Sequence, residues 1–214
     1  MLDYGSSFSE YAFRDFFPQI TEQQIQQLNM LPALYKEWNA RINVISRKDE
    51  SQIMLHHIWH SLALALRFQP AAGSKILDVG TGGGFPGIPL AIIYPHCQFI
   101  LCDSIGKKIT VVNHIAEALS LSNVQGVKSR CEELNMEFQY VVSRAVAPAK
   151  NIIGWTKKLI PSKEGNAWWF LKGGELNEEF NGIILKEKTE IFTLIRQDFF
   201  KQKFIIQVER KTLH

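Results

Sequence analysis

The stretch ILDVGTGGGFPG, residues 76–87, decides how the rest of the chain is read. An apolar run reaches an acid, Asp78, and opens into a loop carrying Gly80, Gly82, Gly83 and Gly84; PGIPLAIIY (86–94) follows with helical spacing. Strand, glycine loop and helix in that order make the first unit of a doubly wound α/β sheet. Such loops approach a nucleotide-like ligand closely because glycine puts no side chain in the way.

Downstream the same alternation continues. Strands are expected at KILDVG (75–80), QFILCD (98–103), VQGVKS (124–129), YVVSRA (140–145) and AWWFLKG (167–173). Helices fill the gaps from PGIPLAIIY, GKKITVVNHIAEALS (106–120) and APAKNIIGWTKKL (147–159). Right-handed crossovers then give a mostly parallel, Rossmann-like sheet. The end breaks the rhythm: EIFTLIRQDFFKQKFIIQVER (190–210) reads as two strands joined by a short polar connection, an antiparallel hairpin at the C-terminal edge. Upstream, residues 8–68 read as helices. Ile25, Leu28, Leu31, Leu34 or Tyr35, and Trp38 recur at three- and four-residue spacing, and Asp49 would cap a second helix running to Phe68. The expected division is an N-terminal helical extension, residues 1–70, packed on a domain of residues 71–214.

Composition narrows the class. A chain of 214 residues holds one sizeable core plus an extension. The net charge of +3 permits an RNA partner without demanding one, because affinity depends on where cations cluster. Cys97, Cys102 and Cys131 are odd in number and form no CxxC pair, which suits a reducing compartment. The start, MLDYGSSFSEYAF, lacks the basic and apolar regions of a signal peptide, and no apolar run reaches membrane-spanning length. A cytoplasmic protein, acting as a monomer, is expected.

Three ligands compete for the loop. Gly82, Gly84 and Gly87 satisfy GxGxxG, and Asp103 stands where a dinucleotide's ribose-binding acid would. Pyrophosphate, however, needs N–H groups at the helix N-terminus, and Pro86 has none. S-adenosylmethionine carries no phosphate. Gly80, Gly82 and Gly84 would let the backbone approach its methionine part, Asp78 would face its cationic groups, and Asp103 would bond the ribose hydroxyls. A turn with no ligand needs fewer glycines. Adenosylmethionine is therefore the preferred cofactor, and the sheet a methyltransferase sheet.

Two further strand-end clusters border the same crevice. In SRCEEL (Cys131, Glu132, Glu133) a backbone amide would bond the adenine and Cys131 would form a small apolar wall, whereas Glu133 reads as a helix-terminal acid. In SRAVAP, Arg144 points at the crevice, or else pairs structurally with Glu132 or Glu133. The same segment excludes chemistry. It offers no acid or amide followed by two prolines for amine methylation, and no cysteine nucleophile for carbon-5 methylation. A nucleophile that already carries a free lone pair, such as guanine N7, needs only alignment and a dry crevice.

Those residues together carry a resemblance. ILDVGTGGGFPGIPLAI, LCDSIGKK, SRCEE, VVSRA and FLKGG, in that order, resemble the RsmG (glucose-inhibited division protein B) family, and WNARINVISRKDE and HHIWHSL look like its N-terminal segments. The likeness covers roughly residues 25 to 210. It implies bacterial methyltransferases that make N7-methylguanine in 16S ribosomal RNA, free or in a small-subunit particle, from adenosylmethionine. It further implies cofactor contacts at Gly80, Phe85, Cys131, Glu132 and Arg144. One departure stands out: where many members carry an acid in HxxDSL, this chain has His60, while His57 and Ser61 keep the match.

The target guanine would have to be unpaired, since N7 lies in the deep groove of A-form RNA. Lys107 and Lys108, Arg41, Arg47 and Lys48, Lys172 and His57 are candidates for RNA contact, and Arg144 and Lys172 for a place near the reacting atoms. Of Trp168 and Trp169, which alternate on a strand, at most one would stack on a base. His56 and His60, four apart, have the spacing of metal ligands but no third ligand, so packing or an RNA-facing role is expected and no metal. The rival functions are methyl transfer to a small molecule or protein, and nicotinamide-dependent oxidoreduction; cofactor calorimetry and a labelled-methyl transfer to ribosomal RNA separate them.

Overall fold

The computed structural model describes residues 12–46 and 49–213. Two helices open it, α1 (Ala12–Phe16) and α2 (Glu22–Asn39). Thr21 starts α2 with a full capping box: its hydroxyl accepts the Gln24 N–H while the Gln24 side chain takes the Thr21 N–H. The apolar stripe of α2 resolves in favour of Tyr35, which is buried; Leu34 and Trp38 are only half-buried. The second helix starts differently from expectation. Asp49 makes no side-chain cap; its carboxylate takes the Ser46 hydroxyl and faces His56 instead. A π-helical segment, Met54–Trp59, then runs into α3 (His60–Ala65).

The five expected parallel strands follow, with their helices: β1 (Lys75–Val79), α4 (Gly87–Ile93), β2 (Gln98–Asp103), α5 (Gly106–Ala118), β3 (Val124–Lys128), β4 (Tyr140–Arg144), α6 (Ala149–Thr156) and β5 (Ala167–Gly173). The chain closes with β6 (Glu187–Glu190), α7 (Ile191–Leu194) and β7 (Lys203–Glu209). The sheet order is β3-β2-β1-β4-β5-β7-β6, with β7 antiparallel to both neighbours. The antiparallel edge is present, but its first strand lies upstream of the expected place. EIFTLIR is not a strand beyond Glu190: Ile191–Leu194 forms a helical turn, α7, with Ile191 and Ile195 fully buried in the core it shares with the sheet. The connection is consequently a dozen residues, Ile191 to Gln202, rather than a short polar turn.

Side chains of alternate sign along each strand feed two cores. On one face Ile76, Phe99, Val142 and Trp169 pack with α2, α3, α4 and α5; on the other Leu77, Ile100, Val141 and Trp168 pack with Ile152 and Ile153 of α6. The helices before residue 70 therefore share one core with the sheet, through Leu28, Leu31, Trp59 and Leu62. Among the described residues no helix is long and apolar enough to cross a membrane.

Candidate active site

Strand β1 has β2 on one side and β4 on the other, so the chain leaves it in opposite directions and a crevice opens beyond the carboxyl ends. It measures about 650 Å³. The glycine loop forms its floor. Gly80 and Gly82 stand at φ +64° and +60°, a backbone region closed to most side chains. A Cβ on Gly82 would meet nothing within 4 Å, so its face is open to the crevice. One on Gly80 would come within 2.5 Å of Val146, whose segment follows β4. At the end of β2 the Gly82 N–H donates to Asp103 Oδ2 at 3.1 Å, and the Ile105 N–H to Oδ1 at 2.9 Å. Lys108 brings its ammonium to 3.6 Å from the same carboxylate.

Asp78 takes a different place from the one expected. It lies fully buried beneath the loop and does not line the crevice. Its Oδ2 accepts the Thr81 hydroxyl at 2.6 Å and the Gly87 N–H at 2.9 Å, so it ties the strand end to the start of α4. Burial pushes its carboxyl up to about 7, against those two hydrogen bonds, which favour the charged form. Gly87 is glycine for packing: a Cβ would stand 2.7 Å from Asp78 Oδ2 and from Leu101.

The N-terminal helices supply the roof. Tyr35, fully buried, donates its hydroxyl to the Gly83 carbonyl at 2.6 Å and lays its ring 4.6 Å from that of Phe85. Arg144 reaches up from β4. Its guanidinium stacks 5.0 Å from the Phe85 ring, donates to the His56 carbonyl at 3.2 Å and to His57 Nδ1 at 2.9 Å. It makes no ion pair with Glu132 or Glu133; Glu132 faces Arg130 at 3.8 Å. Because a guanidinium only donates, His57 Nδ1 must accept, and the ring proton sits on Nε2. Burial first, then the Arg144 charge, holds the His57 imidazolium down to about 4.

Gly80, Gly82, Phe85, Asp103, Cys131, Glu132, Arg144, His57 and Lys108 thus share one crevice. Cys131 is buried with its thiol pushed up to about 12, chiefly by desolvation. Lys107 is exposed outside the crevice, and Arg41 stands apart, against Glu37 and the Trp38 ring. Arg47 and Lys48 lie outside the described residues. Lys172 is not near the floor: its ammonium is internal, 2.6 Å from Glu179 Oε1 and 2.6 Å from the Ala147 carbonyl. Glu179 also takes the Ala149 N–H at 2.7 Å, so this pair fixes the segment behind Val146. Trp168 and Trp169 are both buried, one on each face, and neither meets a base. His56 and His60 both pack on one ring: His56 stacks on Phe199 at 4.0 Å and His60 meets Phe199 edge-on at 5.7 Å. The residues that sequence reasoning missed here are Tyr35 as a loop partner, Val44, Ile105 and Trp155. Only their place on an apolar stripe or beside a motif was visible.

Comparison with known proteins gives one family. The model of "GidB: rRNA small subunit methyltransferase G" matches residues 24–208. A protein of Bacteroides thetaiotaomicron with the name ribosomal RNA small subunit methyltransferase G is 46% identical over 198 residues, covering 89% of this chain and 95% of that one. Its counterpart in Christiangramia forsetii is 44% identical over 203 residues, 92% and 96% of the two chains. Among solved structures, the magnesium protoporphyrin IX methyltransferase of Synechocystis superposes with a TM-score of 0.55 at 14% identity, over 89% of this chain and 99% of that one. A methyltransferase from Aquifex aeolicus gives 0.54 at 15% identity, over 74% and 96%. At such identities these two speak for the fold alone.

Proposed function

This chain belongs to the rRNA small subunit methyltransferase G family, and from that premise we propose that it moves the methyl group of S-adenosylmethionine to N7 of an unpaired guanine in 16S ribosomal RNA. The observation that carries the cofactor is the start of α4. Pro86 brings no N–H, and the Gly87 N–H is already donated to a buried carboxylate, Asp78. A pyrophosphate finds neither a donor nor a welcoming charge there. A phosphate-free, cationic ligand is untroubled by either feature.

The residues fit that ligand. Gly82 leaves its face open, Gly80 and Phe85 border the methionine side, and Asp103 keeps lone pairs for the ribose hydroxyls. Cys131 and Glu132 would flank the adenine, and Arg144, over the Phe85 ring, would offer its charge to the methionine carboxylate. Bound there, adenosylmethionine supplies an electrophilic methyl group on its sulfonium.

The protein's part is then positional. Guanine N7 attacks with its own lone pair, so no side chain has to remove a proton. The SRAVAP segment holds no acid or amide for an amine, and a thiol near 12 is a poor nucleophile, which disfavours both competing base methylations. The buried roof of Tyr35, Phe85, His57 and Arg144 excludes water from one side and holds the loop still. Lys107 and Lys108 stand ready for phosphates. In this reading the helical residues up to 70 act as a wall of the methyltransferase domain, and the protein works as a cytoplasmic monomer.

The test is transfer of labelled methyl to 16S ribosomal RNA, naked and in small-subunit particles, followed by borohydride–aniline scission, which cuts at N7-methylguanine. Label at a single guanine supports the reading. Label that survives scission, or none on either substrate, refutes it.

A further inference from the structure

We propose that Trp155 is a stacking platform for a nucleobase of the RNA substrate at the mouth of the crevice. The inference takes its substrate class from the reading above and adds the residue that receives a base. Of the five tryptophans, Trp59, Trp168 and Trp169 are buried, and Trp38 packs its ring on His114 at 4.7 Å. Trp155 alone leaves 37% of its surface to solvent. The fold does not need it there: α6 already seats Ala149, Ile152, Ile153 and Thr156 against the sheet. A large apolar ring with over a third of its surface open, on a helix that already fills the core with other residues, points to a ligand.

Its neighbourhood selects the ligand. Trp155 lines the crevice together with Ile105 and Val146, themselves 48% and 43% exposed, so the crevice wall carries three exposed apolar side chains. Cations stand beside them. Arg130 lines the same crevice with 70% of its side chain exposed, and holds Glu132 only loosely at 3.8 Å. Lys108 lines it too, and Lys128 lies across Gly106 at the start of α5. An exposed aromatic ring and cations lining the same crevice are the combination that takes single-stranded nucleic acid, base on ring and phosphate on charge. A solvent-open ring suits a base arriving from outside better than the enclosed adenine of a cofactor.

The experiment titrates the full chain with a guanine-containing single-stranded RNA oligomer while tryptophan fluorescence is recorded, beside calorimetry with adenosylmethionine alone. RNA should quench the wild type, and Trp155→Phe should bind RNA nearly as well but lose most of the quench, since Trp59, Trp168 and Trp169 are buried and Trp38 is half-buried under His114. Trp155→Ala should weaken RNA binding roughly 5- to 150-fold, the scale of one lost base–aromatic stack, with cofactor affinity unchanged. A quench produced by adenosylmethionine and not by RNA would assign the ring to the cofactor and overturn the proposal, as would wild-type RNA affinity in Trp155→Ala. Methyl transfer measured on the same preparation keeps the two readings apart. A wild type that stacks RNA but transfers no methyl sinks the function and spares the platform; normal transfer with no effect of Trp155→Ala does the reverse.

Discussion

Replacing Tyr35 with phenylalanine removes one oxygen atom, and that atom is the direct hydrogen-bond link between helix α2 and the glycine loop. The hydroxyl donates to the Gly83 carbonyl at 2.6 Å in a site with no solvent exposure. The ring stays, and so does its packing at 4.6 Å from Phe85. What is lost is a buried bond whose acceptor finds no water, a cost of about 1–3 kcal/mol. For a chain of this size each kcal/mol lowers the melting temperature by about 2–4 °C, so a fall of roughly 2–12 °C is expected. Tyr35→Ala should cost more, about 3–5 kcal/mol, because it also empties the space under Phe85. Urea titration gives both values from the midpoint, provided the slope is unchanged. The same two variants should weaken adenosylmethionine binding in that order, since the loop they release is its floor. A Tyr35→Phe protein with the wild-type midpoint and wild-type cofactor affinity would refute the argument.

Three other outcomes follow from the site. The buried Asp78 carboxyl, near 7 when folded against an ordinary value of 3.8, lowers stability as pH rises between those values, because the folded state holds the extra proton. His57, near 4 against 6.5, acts in the opposite sense across most of the same window. Asp78→Asn keeps an oxygen for Thr81 and Gly87 but removes the first slope, so its stability should climb more steeply from pH 4 to 6.5 than the wild type's; a parallel curve would contradict the assignment. Asp103→Ala should weaken adenosylmethionine about 10- to 150-fold by calorimetry, the range for a hydrogen bond to a charged acceptor, and should leave NADH binding absent as before. Cys131→Ser should act only through cofactor affinity, raising the apparent KM for adenosylmethionine while kcat stays within about twofold, since a thiol held near 12 is no nucleophile at neutral pH; a kcat loss of several orders of magnitude would reopen covalent chemistry.

The parts of the fold that could be read in the sequence are those in which local pattern and burial agree. The five parallel strands are covered on both faces, so they appear as nearly unbroken apolar runs, and Trp168 and Trp169 could both be core for that reason. The edge strand β6, with its run of Glu, Lys, Thr and Glu, has no such signal, and the apolar EIFTLIR beside it drew the strand assignment. In the site, residues adjacent to the glycine loop or at strand ends were legible because the fold dictates where strand ends go. Asp78 was misread because one strand position decides between lining a crevice and lying under it. Lys172 was misread because its partner Glu179 sits beyond a loop whose path the sequence does not reveal. Tyr35 had a visible stripe but an invisible target, 48 residues away.

That distance has a consequence for how the molecule is made. The roof of the crevice is contributed by segments that leave the ribosome early, yet its clasp is Arg144, bonded to His56 across 88 residues of chain. While the first strands are being synthesised, the opening helices have no sheet to lie on and the glycine loop has no clasp above it. Local helices can form at once; the contacts of Arg144 with His56 and His57 wait until β4 has emerged. The crevice therefore stays unroofed by Arg144 until β4 is made, and a chain that stalls or is cut before residue 144 holds the glycine motif without that enclosure. Closure of the crevice by Arg144 is thus a sign that synthesis has passed the fourth strand.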